Sequence, residues 1–158
     1  MDITKVVNTG YEVLFVCLTV PLIAQTIKFC LHLIFNKKFN LRIFTTTGGM
    51  PSAHSASVVG LSASVGLILG FQSVEFAIAL GYALIVMYDA AGVRRSAGRQ
   101  AACLNRILED FYKHEIQEIG GKLKELLGHT PLQVFWGAIL GIIYAYYVHV
   151  YFLAKTHL

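Results

Sequence analysis

Residues 14–35 read LFVCLTVPLIAQTIKFCLHLIF, and the character of this run decides what kind of molecule the chain is. It is longer than the roughly 20 residues that cross a hydrocarbon core about 30 Å thick as an α-helix. Its one full charge is Lys28. A second run of the same kind, from Pro131 to Leu153, closes the chain, and two shorter ones lie between them, Ala53–Gly70 and Val74–Ala91. Only the short stretch around GFQSVE separates those two, which predicts a tight helical hairpin. A soluble helical core explains the two short runs but not the two long ones. With 56% apolar and 14% charged residues over 158 positions, the expectation is a single all-α domain covering residues 1–158. It is an integral membrane helical bundle of about four transmembrane helices. The first run lacks a basic leader and a small-residue cleavage site, and NKKFNLR follows it, so it reads as a retained span. Lys28, close to its end, is expected to snorkel to the interface.

The net charge of +4 does not point to nucleic acid, because the basic residues cluster beside the spans. Lys37, Lys38 and Arg42 fill the first loop. Arg94, Arg95, Arg99, Arg106, Lys113, Lys122 and Lys124 fill the third connection, whereas the second loop has no Lys or Arg. The excess of positive charge on cytoplasmic loops then predicts both basic loops inside the cell and both termini outside. Within the third connection, Leu104, Ile107, Leu108, Phe111 and Ile116 recur at helical spacing, which predicts a cytoplasmic amphipathic helix between about Gln100 and Leu127. Tyr144, Tyr146, Tyr147 and Tyr151 read as an interfacial aromatic belt. The odd, unspaced cysteines Cys17, Cys30 and Cys103 suggest no metal, and no cofactor is expected. Ala56, Gly60 and Ser64, and Gly137 and Gly141, recur every four residues as close-packing faces, also candidate faces for self-association.

Chemistry concentrates where the second and fourth spans begin. GGMPSAHSA, residues 48–56, places Ser52 as an N-cap and His54 in the first turn after Pro51. GHTPLQV, residues 128–134, places His129 just ahead of the fourth span. Both starts fall on one membrane face, so two distant imidazoles meet at helix ends whose exposed N–H groups attract anions. Phosphoryl transfer uses such a set: one His as nucleophile, one as general acid, and cations on the phosphoryl oxygens.

These segments, with VMYDAAGVRRSAG at 86–98 and RQAACLN at 99–105, resemble the divergent branch of the type 2 phosphatidic acid phosphatase superfamily. That superfamily includes lipid phosphatases and vanadium haloperoxidases. The resemblance implies His54 as general acid, Ser52 as a phosphate contact and His129 as the nucleophile that forms a phosphohistidine. Three departures stand out: Gln133 occupies the place of the acidic residue that orients the nucleophile, the K-x6-R-P element is missing, and so is a Ser-Arg pair before His129. Asp89 is a candidate partner in the catalytic set or of a neighbouring arginine. Arg94 and Arg95 are candidate phosphate clamps, with Lys38 and Arg42 as further cations. The implied activity is hydrolysis of a phosphate monoester or pyrophosphate on a lipid or isoprenoid. The alternative is a phosphate-binding or transport protein that has lost turnover.

Overall fold

The computed structural model describes residues 6–37, 49–111 and 128–156, and of Asn36, Arg94, Arg95, Glu109, Asp110 and Phe111 only the backbone. Among these residues the fold is entirely helical: α1 (Gly10–Asn36), α2 (Ala53–Leu69), α3 (Val74–Ala91), α4 (Val93–Phe111) and α5 (Pro131–Thr156). Three stretches, Gly10–Phe35, Val74–Leu108 and Pro131–Thr156, are long and apolar enough to cross a membrane, whereas α2 has 17 residues. Large apolar side chains such as Leu18, Leu22, Phe35, Ile85 and Tyr147 stand exposed on the outside, the surface that lipid covers in a membrane bundle.

The shortest of the apolar helices is the central one. α2 packs against α1, α3 and α5, and among the described helices α4 touches α3 alone. Composition explains this position. Ala53, Ser55, Ala56, Gly60, Ser62, Ser64 and Gly66 are buried along α2, and such small side chains let three neighbours approach its backbone. The tightest approach is to α5. A Cβ added to Gly141 would lie 2.5 Å from the Ala56 carbonyl oxygen and 2.8 Å from the Gly60 nitrogen, and one on Gly137 would overlap the Ser52 carbonyl oxygen. The small-residue faces considered for self-association therefore meet each other inside one chain.

On α1 the inner surface is a single line, Glu12, Val16, Val20, Ala24 and Lys28, four residues apart and all buried. Val20 and Ala24 pack on Ala53 and Ala56, while Val16 meets Ala145 and Val148. Two polar ties fasten this face: Ser57 Oγ donates to the Cys17 carbonyl at 2.8 Å, and Thr19 and Tyr144 hydroxyls share a hydrogen bond of 2.9 Å. Tyr144 thus belongs to the α1–α5 contact and not to the interfacial belt; Tyr146, Tyr147 and Tyr151 remain on the exposed surface. At the far end of the bundle, Glu12 Oε1 lies 2.7 Å from His149 Nδ1 and Oε2 accepts from the Asn8 backbone N–H at 2.9 Å. A fully buried carboxylate is held there by both a side chain and the backbone.

The α2–α3 hairpin turns at Gly70, whose φ of 89° few other residues adopt. Ser73 then caps α3, accepting from the Phe76 N–H at 3.2 Å. α4 begins just beyond Gly92, earlier than the expected Gln100, and carries Arg94, Arg95, Arg99 and Arg106. The expected continuation of this amphipathic segment, from residue 112 to 127, lies outside the described residues.

Replacing Gly141 by Ala should destabilise the protein by about 1–3 kcal/mol, because backbone lies where the methyl group must go. Gly81 has open space around it, so Gly81→Ala should stabilise by roughly 0.5–1 kcal/mol through helix propensity. Thermal unfolding of the purified variants in one detergent measures both; equal shifts would contradict the packing described.

Candidate functional site

The close crossing of α2 and α5 brings their two N-termini together. The helices run parallel there, and the Ser52 N–H donates to the Gln133 carbonyl at 3.0 Å, joining the cap of one to the first turn of the other. His54 is exposed on the first turn of α2, and His129 is buried just before α5. Their ring centroids are 6.4 Å apart, with the planes inclined at 60°. Two imidazoles distant in sequence are therefore neighbours at one end of the bundle.

His129 is fixed by a reciprocal cap. The Thr130 Oγ1 accepts from the Gln133 N–H at 3.3 Å, while Gln133 Oε1 accepts from the Thr130 N–H at 3.1 Å. This is a capping box with Pro131 at the first helical position, where a missing N–H costs nothing. The same Oε1 lies 3.2 Å from His129 Nδ1. A carbonyl oxygen can only accept, so Nδ1 carries hydrogen and in the neutral ring the lone pair falls on Nε2. Gln133 thus selects the tautomer and orients the ring as a carboxylate would, without adding negative charge.

Ser52 is fully buried as the N-cap of α2, accepting from the Ser55 N–H at 3.3 Å and the Ser55 hydroxyl at 3.0 Å. Both bonds use the Ser52 oxygen as acceptor, which ties it to the first turn of α2 beside His54. Asp89 and His54 stand the same number of residues from the hairpin turn, so half-buried Asp89 reaches the site end of the bundle on α3. Arg94 and Arg95 lie on the first turn of α4, described by backbone only, and Lys38 and Arg42 lie outside the described residues. Among the described residues no three His, Cys, Asp or Glu side chains converge as a metal site.

Lys28, expected to snorkel along the lipid face, packs its stem inside the bundle: the residue is 6% exposed and occupies the last place on the buried line of α1. A Cβ on Gly49 would lie 3.5 Å from Lys28 Cδ and 3.9 Å from Cε, so the stem runs against the loop that leads into Ser52 and His54. Gly49 itself has a φ of 79°. The available signal was the four-residue spacing from Val16, Val20 and Ala24, which puts Lys28 on the packed face and not on the lipid face.

Comparison with known proteins places the chain in a family. A family model described as the divergent PAP2 family matches residues 9–144, which include α1, α2, α3 and the site-bearing start of α5. The chain belongs to the divergent PAP2 family. It is also 44% identical over 130 residues to the uncharacterized membrane protein YuiD of Bacillus subtilis (strain 168), covering 76% of this chain and 82% of that protein. No solved structure matches the chain. In this member of the divergent PAP2 family, both histidine segments fall inside the matched region.

Gln133→Ala should remove one cap and the anchor of His129, lowering stability by about 1–2 kcal/mol. Gln133→Glu keeps an acceptor at both positions and should retain the wild-type midpoint within about 0.5 kcal/mol. Thermal unfolding separates the two, and equal losses would show that the cap is not made.

Proposed function

We propose that this protein is a membrane phosphatase that hydrolyses a phosphate monoester or pyrophosphate of a lipid or isoprenoid, without a metal ion or other cofactor. The proposed site faces the cytoplasm, as the distribution of basic loops suggests, with both termini outside. One observation carries the reading: the His54 and His129 rings stand 6.4 Å apart where two parallel helices begin. At this separation both rings can reach one phosphoryl group placed beside them, its phosphorus toward His129 and its departing oxygen toward His54.

In the proposed reaction, His129 Nε2 attacks phosphorus as the bond to the ester oxygen breaks, and His54 gives its proton to the departing oxygen. Water then attacks the phosphohistidine, losing a proton to His54 and releasing inorganic phosphate and free His129. The uncapped N–H groups of Ala53, His54 and Leu132, with Arg94, Arg95, Lys38 and Arg42 as candidate cations, supply stabilisation for the phosphoryl oxygens. Asp89 is proposed to hold one of these groups in place.

The apolar groove between α3 and α5 supports a substrate with a hydrocarbon chain. Val59, Ala63, Leu80, Ala83 and Ile143 are among its lining residues, and its volume is about 520 Å³. Its upper edge at Val59 is about 7–8 Å deeper than His54 along α2, the depth at which a chain follows its phosphate into the membrane. The alternative reading, a phosphate-binding or transport protein without turnover, draws on Gln133, whose amide orients His129 but does not stabilise its cation by charge.

Purified protein in mixed micelles should release phosphate from long-chain lipid phosphates, and a chelator should leave the rate unchanged. His54→Ala should lower kcat by about 10²–10⁴-fold, and His129→Ala should abolish release. Activity that survives both substitutions would defeat the proposal. Saturable stabilisation by phosphate with no release would favour the alternative.

A further inference from the structure

We infer that Lys28 is the buried cation that anchors the anionic group of the ligand at this site. The inference rests on the site being one for a phosphate-like anion, and it does not require turnover. The starts of α2 and α5 lie beside His54 and His129, and the Ala53, His54 and Leu132 N–H groups are not taken up by the caps described above. Lys28 is an independent observation at that place. It is 6% exposed, its stem lies against Gly49, and it has no hydrogen-bond or ion-pair partner among the described residues. An ammonium on a side chain so little exposed is costly to leave without a compensating negative charge. The acidic side chain on the same buried line, Glu12, cannot supply it. Glu12 is about 24 Å away along α1 and is engaged with His149 and the Asn8 N–H.

The position of Lys28 also suits a ligand more than the lipid interface. Ala24, one turn earlier, packs into the core with Ala53 and Ala56, so Lys28 continues the same face toward the cap of α2. The ammonium approaches from α1 while the imidazoles come from α2 and the segment before α5. Three helices thereby converge on one anion. A phosphate, either free or as a lipid headgroup, is the chemistry that fits an ammonium, two imidazoles and two helix N-termini.

The test is anion binding by the full-length protein in detergent, read as the rise in unfolding temperature on titration with orthophosphate and, separately, dodecyl phosphate. Wild type should be stabilised saturably, Lys28→Gln should weaken the apparent Kd by at least about tenfold, and Lys28→Arg should stay within about threefold. Binding of orthophosphate and dodecyl phosphate alike supports a site open to free phosphate. Binding of dodecyl phosphate alone supports a headgroup site. Either ligand bound equally by wild type and Lys28→Gln overturns the assignment, as does the absence of a response to both. Because Lys28→Gln can fail to fold, wild-type protein is also acylated with acetic anhydride and Lys28 modification is followed by mass spectrometry. Protection of Lys28 by phosphate but not by chloride supports the assignment, and equal labelling overturns it. Binding that depends on Lys28 with no phosphate release would leave this assignment standing while defeating the proposed hydrolysis.

Discussion

The contact on which the rest depends is backbone against backbone, where α5 crosses α2 at Gly137 and Gly141. In lipid there is little hydrophobic gain in pressing two apolar helices together, so close packing and polar ties must hold them. Glycine on α5 and Ser, Ala and Gly on α2 remove the side chains that would keep the axes apart. The Ser52 N–H can then reach the Gln133 carbonyl. Once this crossing is made, the location of both helix starts follows from it.

The site is a product of that packing more than of any local motif. His129 precedes its helix, and a short reciprocal cap of Thr130 and Gln133 determines how its ring is turned. His54 belongs to the other helix and is brought to it only because the two begin at the same level. Ser52, placed between them, is fully buried and bonded within the chain. Rigid elements thus position the exposed imidazole and the buried one, with a membrane-embedded scaffold behind them.

Much of the fold was legible in the sequence because hydrophobic length is a strong signal. The boundaries expected for the four apolar runs agree closely with α1, α2, α3 and α5. The meeting of His54 and His129 was also legible, since the parity of successive crossings puts the second and fourth helix starts on one side. What escaped was the facing of individual residues within a span. Lys28 invited a local explanation, whereas its burial depends on which line of α1 meets α2. Glu12 and His149 lie at opposite ends of the chain, and no periodicity pairs them. Tyr144 was grouped with nearby tyrosines by composition, although its hydroxyl meets Thr19 on α1.

The buried line of α1 has an acid near the amino end, a base near the carboxyl end and three apolar residues between them. Glu12 stands in the first turn, where the helix dipole favours an acid, and Lys28 is about two turns short of the other end. A slide of α1 by one turn, about 5.4 Å, would carry one of these ionisable groups into the apolar middle and pull the other from its setting. The two charges act as end stops, so the helix keeps one vertical register against its neighbours although its middle contacts are small and nearly interchangeable.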